Sequence, residues 1–329
     1  MASRARGGAA RAFGAAQAAP TRRKRFYDRV AVAQAPAGWC VTLDGRRVPT
    51  PAGRPLAVPS LRLALALAAE WDAQATHVEP ATMPLASLAA TAVDQVARGR
   101  EAVVAGLLRY AATDTCRFFA DGAAQPEVRA AQEARLAPVA AWLAAEVGAD
   151  LPRAPPGGLR APPVDAASAA ALEAACDALD DWSLAALQCA VFECKSLALG
   201  LALLAGRLDP RGNSNLRPDF DARVRDCFDA RLGCAPRARR EQSIRPKLGR
   251  IDVDLTEREN FKVWSGRPEP AVDFRAGLDA RGAEAAARVE ETANIDRWGL
   301  VEGAHDYDLT RIQVQLASAS FFADAARAP

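Results

Sequence analysis

The chain holds only two histidines, His77 and His305, which leaves little room for imidazole-based catalysis or metal binding. Glu302 and His305 have the i,i+3 spacing with which carboxylate–imidazole helices hold metal ions. Such centres take a second copy of the motif from another helix, and the sequence contains none. No metal is expected. Used as an acid–base pair, Glu302 and His305 are the one enzymatic alternative that the residues offer. Phosphate loops, the GxGxxG turn and the GxSxG nucleophile elbow are all absent. Ser196 follows Lys195 without a catalytic neighbour. The residues point to no catalytic group, no cofactor and no small-molecule substrate.

Two tryptophans carry more information. Trp71 sits between Glu70 and Asp72, and Trp298 stands shortly before Glu302, His305 and Asp306. Rings of this size anchor cores, with the indole N–H finding a polar partner. Glu70, Asp72, Glu302 and Asp306 cannot all be buried cheaply, so some should line a surface groove. An acidic groove rimmed by apolar side chains is suited to a protein partner. Seven cysteines, at 40, 116, 176, 189, 194, 227 and 234, show neither a CxxC pair nor zinc-finger spacing. They read as reduced, mostly buried thiols.

The elements that must position these residues follow from pattern. Leu61, Leu65 and Ala68 share a helical stripe behind Ser60, a natural N-cap, and that helix ends at Glu70-Trp71-Asp72. Pro84 restricts Met83 to extended geometry, so the chain turns into a second helix from about Leu85 to Val96. Before this elbow, Arg29 to Ala33 and Trp39 to Leu43 alternate as strands, and Asp44-Gly45 is a two-residue hairpin signal returning through Arg46-Arg47-Val48. After it the pattern is helical: Arg100 to Tyr110, then Glu127 to Val147 with Pro138 as a kink or break. Leu151 to Pro163 reads as a surface connection. Ala166 to Leu179 and Ser183 to Leu204 follow as two helices, the second apolar nearly all round. Helical order resumes at Ala283, and a last helix spans Leu309 to Ala325. Between them Arg211 to Gly282 is rich in Arg, Asp, Pro and Gly, far beyond an ordinary loop, and reads as a flexible insertion. The fold class is α+β: a small mixed strand and helix domain over about 26–90, then a helical domain over 91–325 interrupted at 211–282.

Of the 329 residues half are hydrophobic and only 6% are aromatic, and the apolar share is largely alanine, which favours closely packed helices. The most apolar stretch, Ser196 to Ala205, is about half a membrane span. Residues 1–25 carry Arg4, Arg6, Arg11, Arg22, Arg23, Lys24 and Arg25 and no acid, the composition of a mitochondrial transit peptide. Without those seven charges 35 basic residues face 40 acidic ones, a balance that argues against nucleic-acid binding.

Lys24-Arg25-Phe26-Tyr27, the hairpin Leu43-Asp44-Gly45-Arg46, the run Ala69-Glu70-Trp71-Asp72-Ala73-Gln74 and Thr82-Met83-Pro84-Leu85 together resemble the ATP12 family of F1-ATPase assembly chaperones. Tyr110 with Thr113-Asp114, Lys195-Ser196-Leu197 and Arg297-Trp298-Gly299 with Glu302 and His305-Asp306 continue the likeness in order. It covers about Lys24 to Pro210 and Ala283 to Phe322. The chain departs from the family pattern at Thr115-Cys116-Arg117-Phe118 and in the insertion. The resemblance implies a small mixed α/β domain followed by an orthogonal helical bundle. It also implies a mitochondrial matrix chaperone, without turnover, that binds the unassembled F1 α subunit until β joins during assembly of the proton-transporting ATP synthase. The residues it marks for client binding or motif are Glu70, Trp71, Asp72, Trp298, Glu302, His305 and Asp306.

Overall fold

The computed structural model describes residues 23–206, 280–298 and 304–327, without the side chains at 294, 296–298 and 304–308. The first strand, β1 (Arg23–Lys24), lies antiparallel to β5 (His77–Val78). A three-stranded antiparallel sheet in the order β2-β3-β4 is made by β2 (Val30–Ala35), β3 (Gly38–Leu43) and β4 (Arg46–Arg47). The Asp44-Gly45 turn joins β3 to β4 with both residues left-handed, at φ 49° and 79°, as a tight hairpin between right-twisted strands requires. The Asp44 carboxylate also accepts the Arg29 amide at 2.8 Å, tying the turn to the start of β2.

The sheet packs on α1 (Leu61–Asp72), which buries Leu63, Ala64, Leu67 and Ala68. Ser60 caps α1 by accepting the Leu63 amide at 3.0 Å. The chain then enters α2 (Pro84–Thr91), a π-helical turn Ala92–Val96 and α3 (Ala97–Leu108). Asp94 on that turn accepts from Thr50 Oγ1 at 2.8 Å and pairs with Arg54 at 3.2 Å, holding the proline-rich segment after β4 against the helices. The remaining helices are α4 (Pro126–Trp142), α5 (Ala166–Asp177), α6 (Asp181–Cys194), α7 (Leu197–Ala205), α8 (Ala280–Ala287), α9 (Val289–Trp298) and α10 (Ala304–Arg327). The long α10 lies against α6 and α2 and returns to α1, where Arg62 pairs with Asp324 at 2.9 Å. A strand-bearing first part and helices thereafter make the fold α+β.

Four expectations change. The apolar stretch Ser183 to Leu204 is two helices, because Lys195 ends α6 in the left-handed region at φ 54° and Ser196 caps α7 by accepting the Leu199 amide at 3.0 Å. Asp114 fixes this corner: wholly buried, it accepts from Ser196 Oγ at 2.6 Å, from the Ala198 amide at 3.0 Å and from the Cys116 amide at 3.0 Å. Pro138 does not break α4 into two; the carbonyl it frees belongs to Ala134 on the exposed side. The 151–163 connection is not all surface. Leu151 and Ala154 are buried, and the buried Arg117 guanidinium donates to the carbonyls of Ala111 (2.8 Å), Ala112 (3.0 Å), Pro152 (3.0 Å) and Pro162. Helical order resumes at Ala280, earlier than Ala283, and the last helix begins at Ala304 rather than Leu309. The expected insertion lies almost wholly outside the described residues.

Small residues allow the close approaches. A Cβ on Gly200 would lie 2.7 Å from Val191 Cγ2, so α7 packs tightly on α6. At Gly38, φ is 122° and an added Cβ would sit 2.2 Å from the Val58 carbonyl oxygen. That oxygen accepts the Trp39 amide at 2.8 Å, so it cannot move away without breaking the bridge. Gly38→Ala should therefore lower unfolding stability by about 2–3 kcal/mol. Gly45→Ala adds a Cβ that meets nothing within 4 Å and should cost about 1 kcal/mol through its positive φ alone. Denaturant titration of both variants checks the order.

Candidate functional site

Where α1 hands over to α2, the sequence motifs bind one another. Glu70 is 1% exposed, and its two carboxylate oxygens accept the Leu85 and Ala86 amides, each at 2.8 Å. Those are free donors of the first turn of α2, at the positive end of its dipole, so the carboxylate of one helix caps the next. Gln74 closes the loop between them. Its amide donates to the Glu70 carbonyl at 3.0 Å and to Thr82 Oγ1 at 3.1 Å, and its oxygen accepts the Glu79 amide at 2.8 Å.

The end of α1 is held from the other side by the first described residues. Arg25 donates to the carbonyls of Asp72 (3.0 Å) and Gln74, where a cation suits a helix C-terminus. Its guanidinium also lies 3.7 Å from the Asp72 carboxylate and 4.5 Å from the centre of the Tyr27 ring. Tyr27 is buried, donates its hydroxyl to the Trp71 carbonyl at 2.6 Å, and meets the Trp71 ring edge-on at 5.8 Å. Three of the seven basic residues read as leader, Arg23, Lys24 and Arg25, are thus part of the fold. Among Glu70, Trp71 and Asp72, the first is shut away from any partner, and the other two are partly exposed.

The second predicted cluster is only placed by backbone. Trp298 ends α9, and His305 and Asp306 stand in the first turn of α10. Their side chains, and Glu302 altogether, lie outside the described residues. The contact between α1 and α10 is made at the far end of α10, at Ser60 with the Ala325 carbonyl and Arg62 with Asp324. Asp306 is 18 residues back along that helix, about 27 Å at 1.5 Å per residue.

A different surface feature had no place in the sequence reading. Val103, Gly106, Arg109 and Tyr110 on α3 and the turn after it face Gln188 and Phe192 on α6 across an apolar groove of about 410 Å³. Tyr110 was noted only as the end of a helix and as a motif residue. The available signal was Phe192, a large aromatic one position off the buried stripe of Leu187, Val191 and Cys194. No group of three or more His, Cys, Asp or Glu able to hold a metal occurs among the described residues. Nor is any described helix long and apolar enough to cross a membrane. Cys40, Cys116, Cys176 and Cys194 are buried free thiols, and Cys189 is half-buried.

Burial pushes the Glu70 carboxyl from its ordinary 4.5 up to about 8, against the pull of the two amides. The folded chain then holds a proton that the unfolded chain has released between these values. This contribution to stability is full below about pH 4.5 and is lost as the pH rises through about 8. Glu70→Gln removes that titration but leaves one amide facing an NH2 group, costing about 1–2 kcal/mol. Denaturant titrations should show the gap between the two proteins narrowing from pH 5 to pH 8. Parallel pH profiles would rule out a raised carboxyl at this corner.

Residues 24–144 match the family model for the ATP12 chaperone protein. Among solved structures, Atp12 from Paracoccus denitrificans is similar at 26% identity and a TM-score of 0.65, over 93% of this chain and 99% of that one. A point mutant of the P. denitrificans protein matches at 27% identity and 0.64, over 93% and 98%. The Atu1473 protein of Agrobacterium tumefaciens, at 24% identity and 0.63 over 91% and 85%, shares the fold. Residues 24–144 thus match the ATP12 family model, and over 93% of its length the chain is similar in fold to the Paracoccus Atp12.

Proposed function

We propose that this protein is an assembly chaperone that binds the unassembled α subunit of F1-ATPase and releases it when the β subunit joins. The observation that carries the reading is the likeness to Atp12, which runs over 93% of this chain and 99% of the Paracoccus protein, with the family segment at 24–144 inside it. The physical logic is competition. A lone α subunit exposes the apolar surface that β later covers, and a chaperone of comparable shape holds that surface until the larger interface displaces it. Nothing in that cycle needs bond chemistry, a cofactor or ATP turnover.

In this reading Trp298, Glu302, His305 and Asp306 are the client-facing motif. Trp71 and Asp72 are assigned to the client surface with it, and Glu70 sets the elbow. The basic segment at the start is a leader for the mitochondrial matrix. Cleavage falls before Arg23, since Arg23, Lys24 and Arg25 are tied to His77–Val78 and to the end of α1. The mixed part to about residue 90 and the helical part beyond it act as the two walls that hold the client.

Protein starting at Thr21, mixed with isolated α subunit at micromolar concentration, should elute as a stoichiometric complex on gel filtration, and added β subunit should release free chaperone. Absence of a complex would remove the reading. Glu302→Lys should weaken α binding about tenfold or more, roughly 1.4 kcal/mol, with little change in melting temperature; wild-type affinity would take Glu302 out of the client surface.

A further inference from the structure

Phe192 is one of three large apolar side chains that stand exposed among the described residues, at 44%. It is not an isolated exposed ring. Tyr110 lies beside it with ring centroids 5.7 Å apart at 34°, so the two form a continuous aromatic ledge. Below the ledge, α3 presents Gly106, where an added Cβ would meet no atom within 4 Å. The missing side chain therefore opens the floor of the groove, and about 410 Å³ is enough for a large apolar side chain together with part of its backbone.

Arg109 is the one charged residue that lines the groove among the described residues, and Lys195 stands at the end of α6 with its amine on the Phe192 carbonyl. Neither cation forms an ion pair among the described residues. The nearest acid in sequence to Phe192, Glu193, is taken up by Arg311 at 2.9 Å. Glu101 lies two turns back along α3 from Arg109, about 12 Å away. An aromatic ledge, an empty floor and two cations without an ion pair among the described residues together describe a complementary occupant: an apolar side chain with a carboxylate close by.

Resting on the chaperone reading above, we propose that the groove between α3 and α6 receives one large apolar side chain of the unassembled subunit, presented next to an acidic residue that meets Arg109 and Lys195. Aromatic side chains in a small desolvated pocket are where binding energy concentrates, while the rim cations guide approach and choose the register.

Gly106 supplies a selective test. Gly106→Leu fills the floor from within the helix, meets no neighbour through its Cβ, and replaces a poor helix former, so the variant should melt at or above the wild-type temperature. Its affinity for isolated α subunit, read by titration calorimetry with the full chain, should fall about tenfold or more. Arg109→Glu should give a similar loss and remove much of the salt dependence of binding. Wild-type affinity in either variant overturns the groove assignment while leaving the chaperone reading intact. Wild-type protein that does not bind α at all is instead the failure of the chaperone reading. Should Gly106→Leu convert a self-associating wild type to monomer and leave α binding unchanged, the groove belongs to a second copy of this chain and the proposal is wrong.

Discussion

One carboxylate sets the geometry on which the rest depends. Glu70 leaves α1 and ends on the first two free amides of α2, inside the protein. A buried acid without donors would be expelled or would force the helices apart. With two amides at 2.8 Å it can be satisfied at only one mutual position of the two helices. That position decides how the sheet, which rides on α1, sits against the helices that continue from α2. The cost appears in the raised carboxyl, since burial still outweighs the hydrogen bonds.

The same device recurs at other corners. Asp114 holds the start of α7, Ser60 caps α1 and reaches the Ala325 carbonyl, and Arg117 gathers four carbonyls from separate turns. Composition explains why polar groups do this work. Alanine-rich helices approach closely, as α6 and α7 do at Gly200, but small side chains interlock weakly and leave rotation and sliding poorly determined. A short hydrogen bond from a buried side chain to a helix end restores the missing direction. The motifs behind the family resemblance are largely these fasteners. Lys24 to Tyr27 and Thr82 to Leu85 both close on Ala69 to Gln74, and Thr113-Asp114 closes on Lys195 to Leu197.

This accounts for what could and could not be read ahead of the structure. Hairpin, elbow and first helix were legible because their signals are local: Asp44-Gly45 demands left-handed backbone, Ser60 caps three residues on, and Pro84 bars a continuous helix. The break at Lys195 was hidden, since lysine is an ordinary helix residue and the cause, Asp114, lies far away in sequence. Glu70 was recognised as special but its direction was not, because an acid on an amphipathic helix gives no sign of whether it faces water or another helix's free amides. The α3–α6 groove was illegible for a related reason. Arg100 to Tyr110 read as an ordinary helix, and only the packing of α6 leaves one of its faces half covered.

A family's recurring residues are therefore poor guides to its contact surface when many of them are fasteners. Glu70 and Asp114 fix helix ends against their neighbours but are too deep to touch anything outside. A holding protein needs that rigidity, since surface that rearranged freely would lose to conformational entropy much of what it gains by contact. It also needs to let go, and that argues for shallow apolar features with a few cations at the rim over a deep, fully enclosed pocket. The groove beside Phe192 is open and apolar at its floor, which is the character that the proposed holding and release would need.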